Sequence, residues 1–542
     1  MLKKSKEGRK ESFMQGVLAL MFSQVLIKLL GLVYNMYLTN RQNFGDAGNA
    51  IRNSGYQIYA MLLSLSSIGV PNAISKLVAE RVALGDNKGA NRIFKIAFAT
   101  FAVVGFIGTL ILFLGANFIA TYLFEIPEAE YTLVALSPAI FFVSISSVLR
   151  GYFNGRQNLK ATAHAQTLEQ VFKTVLTITV VEMVAIFTFE NTTFMAAGAN
   201  IATTLATFLS FSYLFLYYRI RRKEIATEIS QTVNYKPERV KTIIKRILSV
   251  SIPMSLSSLM SSINKNIDSL TVVRGLKTFM SESAAKVQYG ILSGKVDTLT
   301  SLPLSFNIAF ATALVPALSS AIAKGDHETG TRRVSFSLLV TMLIGLPCTI
   351  GMIIFAKQIL ELLFPNATAG VLILQISALT IIFTVLAQTV NGALQGIGKV
   401  MVPATALGCG VIAKLILNLV LVPIEGIGAC GAAWGSVVCH VISFSIGFNV
   451  LRKNIKLDLD FSKFVAKPII ATFIMAVCSY FAYSVLSIRI STRIATVIAV
   501  IIAVVIYVLA VAVLKIFTKE DLNMLPYGQK IYKFLVKIGI YQ

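Results

Sequence analysis

Charged side chains interrupt several stretches of the sequence that are otherwise apolar. A Lys or an Asp at the centre of a lipid bilayer costs about 2.5–3.5 kcal/mol on insertion scales, so such residues usually face a wet cavity. The lysines outnumber the acids, which indicates a polar interior with a small excess of positive charge. Such an interior suits a phosphate or pyrophosphate group, which Lys binds as a point charge. The lysines are Lys28, Lys173, Lys265, Lys295 and Lys414, and the acids are Glu169, Glu182, Asp268 and Asp297.

Two of these lysines have an acid about one turn away on the same helix. Glu169 and Lys173 are at i and i+4, and Lys265 and Asp268 are at i and i+3, so each pair shares a helix face and could simply be neutralised there. Lys28 and Lys414 have no acid within one turn. Each of them therefore needs a partner from another helix, a wet cavity or a ligand.

Arg52 lies near the end of another apolar stretch and could contact an anionic headgroup, either of a substrate or of a membrane lipid. The 3 histidines are scattered, and the 5 cysteines show no CxxC spacing, which argues against a metal site. We therefore expect no catalytic residues, no metal and no bound cofactor. A coupling ion is expected only if transport uses one, and the sequence does not identify it.

The composition shows which elements must position these residues. Of the 542 residues, 56% are hydrophobic and only 14% are charged, whereas a soluble domain carries about 25% charged residues. About 20 apolar residues in a helix cross the hydrocarbon core, and a helix pairs its own backbone groups there. The pattern predicts an all-α polytopic membrane protein with about fourteen transmembrane helices. The expected spans are residues 13–40, 55–83, 92–123, 129–150, 161–189, 193–219, 243–273, 286–322, 334–355, 368–391, 400–422, 427–450, 464–487 and 494–517.

The charges of the loops predict the orientation in the membrane. Most of the 49 Lys and Arg residues fall in alternate loops, which is typical of loops on the cytoplasmic side. Both termini are therefore expected in the cytoplasm, which requires an even number of spans. The same rule accounts for the net charge of +24, so no nucleic acid is expected as a partner. The basic start followed by a long apolar stretch is interpreted as a retained first helix.

An internal repeat relates the two halves of the chain. Gly151–Gly155 (GYFNG) at the end of the fourth span matches Gly392–Gly396 (GALQG) at the end of the tenth, and this alignment sets Lys173 against Lys414. Six spans separate the matched segments. An even number of spans per repeat gives two halves of the same orientation, with the binding site between them.

Earlier in each half, a Val-Pro pair followed by Gly-Asp is also matched. Val70-Pro71 precedes Gly85-Asp86, and Val315-Pro316 precedes Gly325-Asp326. The repeat predicts a cytoplasmic N-terminus, a six-helix lobe, a cytoplasmic linker, a second six-helix lobe, two additional spans and a cytoplasmic tail. Their expected bounds are 1–12, 13–222, 223–242, 243–453, 464–517 and 518–542.

Four segments of the chain carry a resemblance to a known family. They are Lys28–Asn35 (KLLGLVYN), Ser67–Val78 (SIGVPNAISKLV), Arg150–Gly155 (RGYFNG) and Ala313–Ser319 (ALVPALS). These segments resemble the polysaccharide-transport branch of the multidrug/oligosaccharidyl-lipid/polysaccharide flippase superfamily. Within that branch the sequence resembles members like stage V sporulation protein B, which are neighbours of the MurJ lipid II flippases. The resemblance extends over nearly the whole chain.

The resemblance implies a MATE/MurJ-like fold with alternating access, a cationic central cavity for a pyrophosphate, and two extra C-terminal helices that can shelter a lipid tail. It also implies a non-enzymatic flippase for a polyprenyl-pyrophosphate-linked saccharide, such as lipid II, in the cytoplasmic membrane. Lys28 occupies a position that is basic in MurJ-type flippases, whereas Tyr34, Asn35 and Thr298 replace other charged positions of that family. The expected partners are the lipid-linked oligosaccharide and membrane lipids, and we expect the protein to function as a monomer.

Three alternative functions remain open at this point. A drug/cation antiporter of the same superfamily would be expected to place acids rather than lysines in its cavity. A membrane-embedded glycosyl- or phosphotransferase would need a catalytic motif, for which the sequence offers only Asp458-Leu459-Asp460. A scaffold for cell-wall assembly would gain nothing evident from lysines inside its spans, given their insertion cost.

Overall fold

The chain forms long helices joined by short loops. The computed structural model describes residues 26–27, 29–64, 69–156, 158–230, 238–323, 326–457, 459–524 and 528–537. Three segments are π-helical, namely Ile119–Leu123, Ile291–Val296 and Ser462–Ala466. The helices are α1 (29–40), α2 (Gly45–Ser64), α3 (Val70–Ala83), α4 (Asn87–Phe118), α5 (Ala129–Gly155), α6 (Leu159–Phe187), α7 (Thr192–Ile220), α8 (Arg222–Ser230), α9 (Val240–Leu276), α10 (Glu282–Gly290), α11 (Asp297–Ala323), α12 (His327–Ile354), α13 (Ala356–Leu363), α14 (Val371–Gly396), α15 (Val402–Leu421), α16 (Ala429–Asn454), α17 (Lys467–Arg489), α18 (Thr492–Val513), α19 (Lys519–Met524) and α20 (Gly528–Lys537).

The helices coincide with the expected membrane spans. Within the described ranges, 10 helices are long and apolar enough to cross a membrane. Three other expected spans fall on α2 with α3, on α9, and on α10 with α11, while the first, 13–40, ends in α1 and begins outside the described residues. The prediction of an all-α polytopic membrane protein with about fourteen spans is confirmed.

Large apolar side chains on the outer faces of the long helices are exposed rather than packed. In α4, Ile111 is 67% and Leu114 is 77% exposed, and in α18 Val504 is 59% exposed. In water such continuous apolar faces would drive association. In hydrocarbon they are the expected covering of a spanning helix.

Contacts divide the chain into two compact units. Unit 1 comprises Met1–Thr298 with Lys414–Ala432, and unit 2 comprises Leu299–Ala413 with Ala433–Gln542. The core of unit 1 gathers α3, α4 and α5 around Tyr152, and the core of unit 2 gathers α11, α12 and α14 with the C-terminal helices. The expected lobe boundaries at 13–222 and 243–453 stay a prediction.

Matching glycines pack each half of the repeat in the same way. A methyl group on Gly151 of α5 would lie 2.8 Å from the carbonyl oxygen of Pro71 in α3. A methyl group on Gly392 of α14 would lie 2.6 Å from the carbonyl oxygen of Ala311 in α11. Only glycine allows the two backbones to approach so closely. The repeat predicted from the sequence is therefore confirmed by the packing.

The helix starts in the two halves also correspond, and they define the register of the repeat in this region. Asp86 accepts from the backbone of Gly89 at the start of α4, and Asp326 accepts from Thr329 at the start of α12. The two capping aspartates lie almost as far apart along the chain as the two matched glycines do. The same separation aligns Pro71 with Ala311. In this register the pairs Val70-Pro71 and Val315-Pro316 lie about five residues apart, as their different distances from the following Gly-Asp pairs already indicate.

Candidate anion site

A small polar cavity lies inside unit 1, among α2, α5, α6 and α7. Its volume is about 220 Å³, and its charged lining residues are Arg150, Glu169 and Lys173. Tyr56 and Tyr59 contribute aromatic rings. The remaining polar wall consists of amide and hydroxyl side chains, so the cavity is built for a charged or hydrogen-bonding group. These side chains are Gln166, Gln170, Thr203 and Thr207.

Lys173 is held by aromatic rings rather than by an acid. The residue is 9% exposed. Its Nζ lies 4.4 Å from the centre of the Tyr56 ring and 5.5 Å from the centre of the Tyr34 ring, and it donates to the Tyr56 hydroxyl at 3.4 Å. Each such ring contact is worth about 0.5–2 kcal/mol, whereas burying a charge costs several kcal/mol. In the part of the chain that the structure describes, no carboxylate pairs with Lys173, so its positive charge has no acid partner there.

Arg52 shares the Tyr34 ring with Lys173. Its guanidinium carbon lies 5.5 Å from the centre of that ring, and the residue is 9% exposed. Nη2 donates to the amide oxygens of Asn35 at 3.2 Å and Asn53 at 2.8 Å, while Nε finds no acceptor among the described residues. Two buried cations thus converge on one neutral ring without a described carboxylate partner.

Glu169 does not neutralise Lys173, although the two lie one turn apart on α6. The Glu169 carboxylate accepts instead from Arg150 of α5 at 2.9 Å. Arg150 is 7% exposed, and the sequence analysis did not assign it to the site. The available signal was its position, since it is a charged residue that ends the apolar stretch directly before the GYFNG motif.

Lys414, the repeat equivalent of Lys173, lies in a closed ion pair. Its Nζ donates to Asp268 of α9 at 2.6 Å and to the carbonyl oxygen of Asn264 at 2.9 Å. Asn418, one turn further on α15, donates to the same carboxylate at 3.0 Å. Lys414 is 1% exposed. Of the partners that the sequence left open for Lys414, the structure thus supplies an acid from another helix. The pairing of Asp268 with Lys265, which their spacing allowed, is not formed.

The two remaining lysines also pair with acids from other helices. Lys295 is fully buried and donates to Asp46 at the start of α2 at 2.8 Å. Lys265 lies 3.9 Å from Asp297, and their side chains are 53% and 36% exposed. Lys28 lies outside the described residues. Among those that are described, no group of His, Cys, Asp and Glu could hold a metal ion.

Comparison with known proteins assigns the family. The family model described as polysaccharide biosynthesis protein matches residues 13–322, and the MatE model matches residues 294–420. Stage V sporulation protein B of Bacillus subtilis is 24% identical over 524 residues, which cover 95% of this chain and 98% of that protein. Lipid II flippase MurJ of Bacillus subtilis is 24% identical over 457 residues, which cover 81% of this chain and 82% of that protein.

A solved structure shows the same fold. Lipid II flippase MurJ in its inward closed conformation aligns with a TM-score of 0.66 at 15% identity, covering 92% of this chain and 98% of that chain. The chain therefore belongs to the polysaccharide biosynthesis protein family, and it is a multi-pass membrane protein that shares the fold of the lipid II flippase MurJ.

Proposed function

We propose that this protein is a flippase that moves a polyprenyl-pyrophosphate-linked saccharide, lipid II or a related cell-wall precursor, across the cytoplasmic membrane by alternating access. The observation that carries the proposal is the convergence of Arg52 and Lys173 on the ring of Tyr34. A bound pyrophosphate would supply the negative charge that neither cation receives from a described carboxylate. Arg can bind two of its oxygens at once, and Lys contributes a compact point charge.

The cavity that Lys173 lines suits one polar part of such a substrate. Its volume of about 220 Å³ is below the 300–1,000 Å³ usual for whole drug-sized ligands. The amides of Gln166 and Gln170 and the hydroxyls of Thr203 and Thr207 line it, and such groups hydrogen-bond sugars as well as phosphate oxygens. We therefore assign to it the pyrophosphate or the adjoining sugar, and leave the lipid tail to the apolar faces of the helices.

A drug/cation antiporter is the nearest alternative, and the charge of the cavity argues against it. Arg150 offsets Glu169, which leaves Lys173 and Arg52 as an excess of positive charge that would repel a cationic drug. The geometry of Asp460 does not support the alternative of an enzyme that acts on lipid-linked sugars. Its carboxylate accepts from the backbone of Ser462 at 2.9 Å, where it caps the start of a helical segment, and Asp458 lies outside the described residues.

The energy source belongs to the proposal as well. The sequence contains no GxxxxGK phosphate-binding loop, whose backbone and lysine would cradle a nucleotide. We therefore propose that the membrane potential or an ion gradient drives transport. The proposal also includes a location in the cytoplasmic membrane with both termini inside, and function as a monomer without enzymatic activity.

The experiment that tests this function is rescue of bacteria whose own lipid II flippase is depleted. The wild type is compared with Lys173→Ala and Arg52→Ala, and with Lys28→Ala and Lys414→Ala, at equal membrane abundance. Lys160→Ala is the matched control, because Lys160 is an exposed lysine on the same helix as Lys173. Rescue by the wild type and the control that is lost in Lys173→Ala and Arg52→Ala supports the proposal.

Two other results would contradict parts of it. Rescue that survives both substitutions would keep lipid II as the substrate and reject the anion site. Absence of rescue by a correctly inserted wild type would reject lipid II. A flipping assay in vesicles with other polyprenyl-pyrophosphate saccharides, beside a drug-susceptibility panel, then separates a different glycan from drug efflux.

A further inference from the structure

Two buried amides join Arg52 to the helical segment that carries Lys295. Asn35 of α1 and Asn53 of α2 each accept from Arg52 Nη2 through their amide oxygens. The Nδ2 group of Asn35 donates to the Gly294 carbonyl oxygen at 2.7 Å and to the Thr298 hydroxyl at 2.9 Å. The Nδ2 group of Asn53 donates to the Ser293 hydroxyl at 3.2 Å. Both amides therefore have one end on the cation and the other end on the same turn.

That turn is irregular and is packed unusually closely against α2. Residues Ile291–Val296 form a π-helical segment, a feature that is rare and often found at functional sites. A methyl group on Gly290 would lie 1.8 Å from the carbonyl oxygen of Asp46, and one on Gly294 would lie 3.1 Å from Cβ of Asn49. Lys295 pairs with Asp46 at the same contact. We name this contact, formed by Asp46, Gly290 and Lys295, the α2–π contact.

We propose that Asn35 and Asn53 are positioning residues that couple the binding of an anion at Arg52 to the α2–π contact. This proposal rests on the proposed function. An anionic oxygen is a stronger acceptor for a guanidinium than an amide oxygen is, because the hydrogen bond is charge-assisted on both sides. A pyrophosphate at Arg52 therefore competes with both amide oxygens for Nη2. Once released, each amide can rotate about its side-chain bonds, and its Nδ2 group leaves Ser293 or Gly294.

The consequence of that release follows from what holds the turn in place. Loss of the amide donors removes the bond that Asn35 gives to the Gly294 carbonyl oxygen, which then keeps the Thr298 hydroxyl, at 2.6 Å, as its described side-chain donor. The Lys295–Asp46 pair then remains as the main described polar bond at the α2–π contact. Binding of the anion thus lowers the cost of separating α2 from the π-helical segment, so substrate occupancy is coupled to movement of these helices.

The test measures binding and movement separately, on the full-length protein in lipid nanodiscs. Spin labels are placed at Gln42→Cys and Ser283→Cys, two exposed positions flanking the α2–π contact, after replacement of the 5 native cysteines. Inorganic pyrophosphate is the probe, and its affinity is measured by calorimetry on the same samples. We expect pyrophosphate to broaden or lengthen the distance distribution in the wild type. In Asn35→Ala and Asn53→Ala we expect the affinity for pyrophosphate to stay unchanged or to rise, because a competing amide oxygen is gone, but we expect no pyrophosphate-induced change in the distance.

Asn307→Ala is the matched control, because Asn307 is a fully buried amide of unit 2 that bonds Val385 and Thr389 of α14 rather than Arg52. This variant should keep the pyrophosphate-induced change. Such a result separates the coupling through Asn35 and Asn53 from the general effect of losing a buried amide. A pyrophosphate-induced change in distance that persists in Asn35→Ala and Asn53→Ala would overturn this coupling. A wild type that binds pyrophosphate without any change in distance would also overturn this coupling, although the proposed function would stand. Absence of pyrophosphate binding to the wild type would overturn both.

Discussion

Lys173 and Lys414 occupy equivalent positions in the two halves of the repeat, but their surroundings differ in charge. Lys173 lies on the rings of Tyr56 and Tyr34, with no described carboxylate partner. Lys414 is neutralised by Asp268 at 2.6 Å. The same residue type at matched positions thus gives an open cationic site in one half and a closed ion pair in the other. The difference teaches that a lysine inside a span predicts a ligand only when no acid from another helix reaches it.

The largest effect is expected from removing the closed pair. Lys414→Met leaves the Asp268 carboxylate buried without its cation, which destabilises a protein by about 3–5 kcal/mol. Thermal denaturation in detergent, with Asp268→Asn and the double variant alongside, measures this effect. The double variant should recover most of the stability, because no uncompensated charge then remains. A double variant as unstable as Lys414→Met would show that the pair does not set the stability here.

Lys173→Met should behave in the opposite way. It removes a charge that has no described acid partner, so we expect the melting temperature to stay unchanged or to rise. Substrate binding should fall by about 10- to 100-fold, which corresponds to losing one charged hydrogen bond of about 1.5–3 kcal/mol. Binding of a lipid-linked pyrophosphate to the purified protein checks this. Equal binding by Lys173→Met and wild type would remove the distinction between the two lysines.

A smaller effect is expected from the rings that replace an acid around Lys173. Tyr56→Leu removes the ring that lies 4.4 Å from Nζ, and a cation–π contact is worth about 0.5–2 kcal/mol. Tyr56→Phe is the control, because it keeps the ring face and loses only the hydroxyl. Stability and pyrophosphate affinity should fall in the leucine variant and change little in the phenylalanine variant. The reverse order would assign the effect to the hydroxyl instead.

The smallest effect is expected at an ion pair outside the spans. Burial raises the pKa of Asp521, but the hydrogen bonds from Lys463 at 2.6 Å and from Thr518 outweigh it and hold that pKa below its ordinary value. Since the folded pKa is the lower one, the stabilisation is present above about pH 4 and is lost as the pH falls through the folded pKa. The difference in melting temperature between wild type and Asp521→Asn, worth less than about 1 kcal/mol, should therefore shrink in acid. A difference that grows in acid would contradict the sign.

Much of the fold followed from the amino-acid pattern alone. Apolar stretches long enough to cross a bilayer must be helical there, because their backbone groups have no other partners. The expected spans therefore coincide with the helices, including short-loop pairs such as α17 and α18. The repeat was also visible, because close helix packing requires glycine, and Gly151 and Gly392 stand at matched positions.

The pairing of charges was decided only by the tertiary structure. Sequence spacing can test partners on the same helix, and it suggested Glu169 with Lys173 and Lys265 with Asp268. The structure pairs Glu169 with Arg150 and Asp268 with Lys414 instead.

The physical reason is that a partner on another helix depends on how each helix is rotated and displaced against its neighbours. Side-chain packing sets that rotation, and the spacing of residues along one chain segment does not contain it. The sequence by itself thus determined which residues form spans and that cations exceed acids within them. The tertiary structure decided which cations remain without a described acid, and so placed the candidate anion site at Arg52 and Lys173.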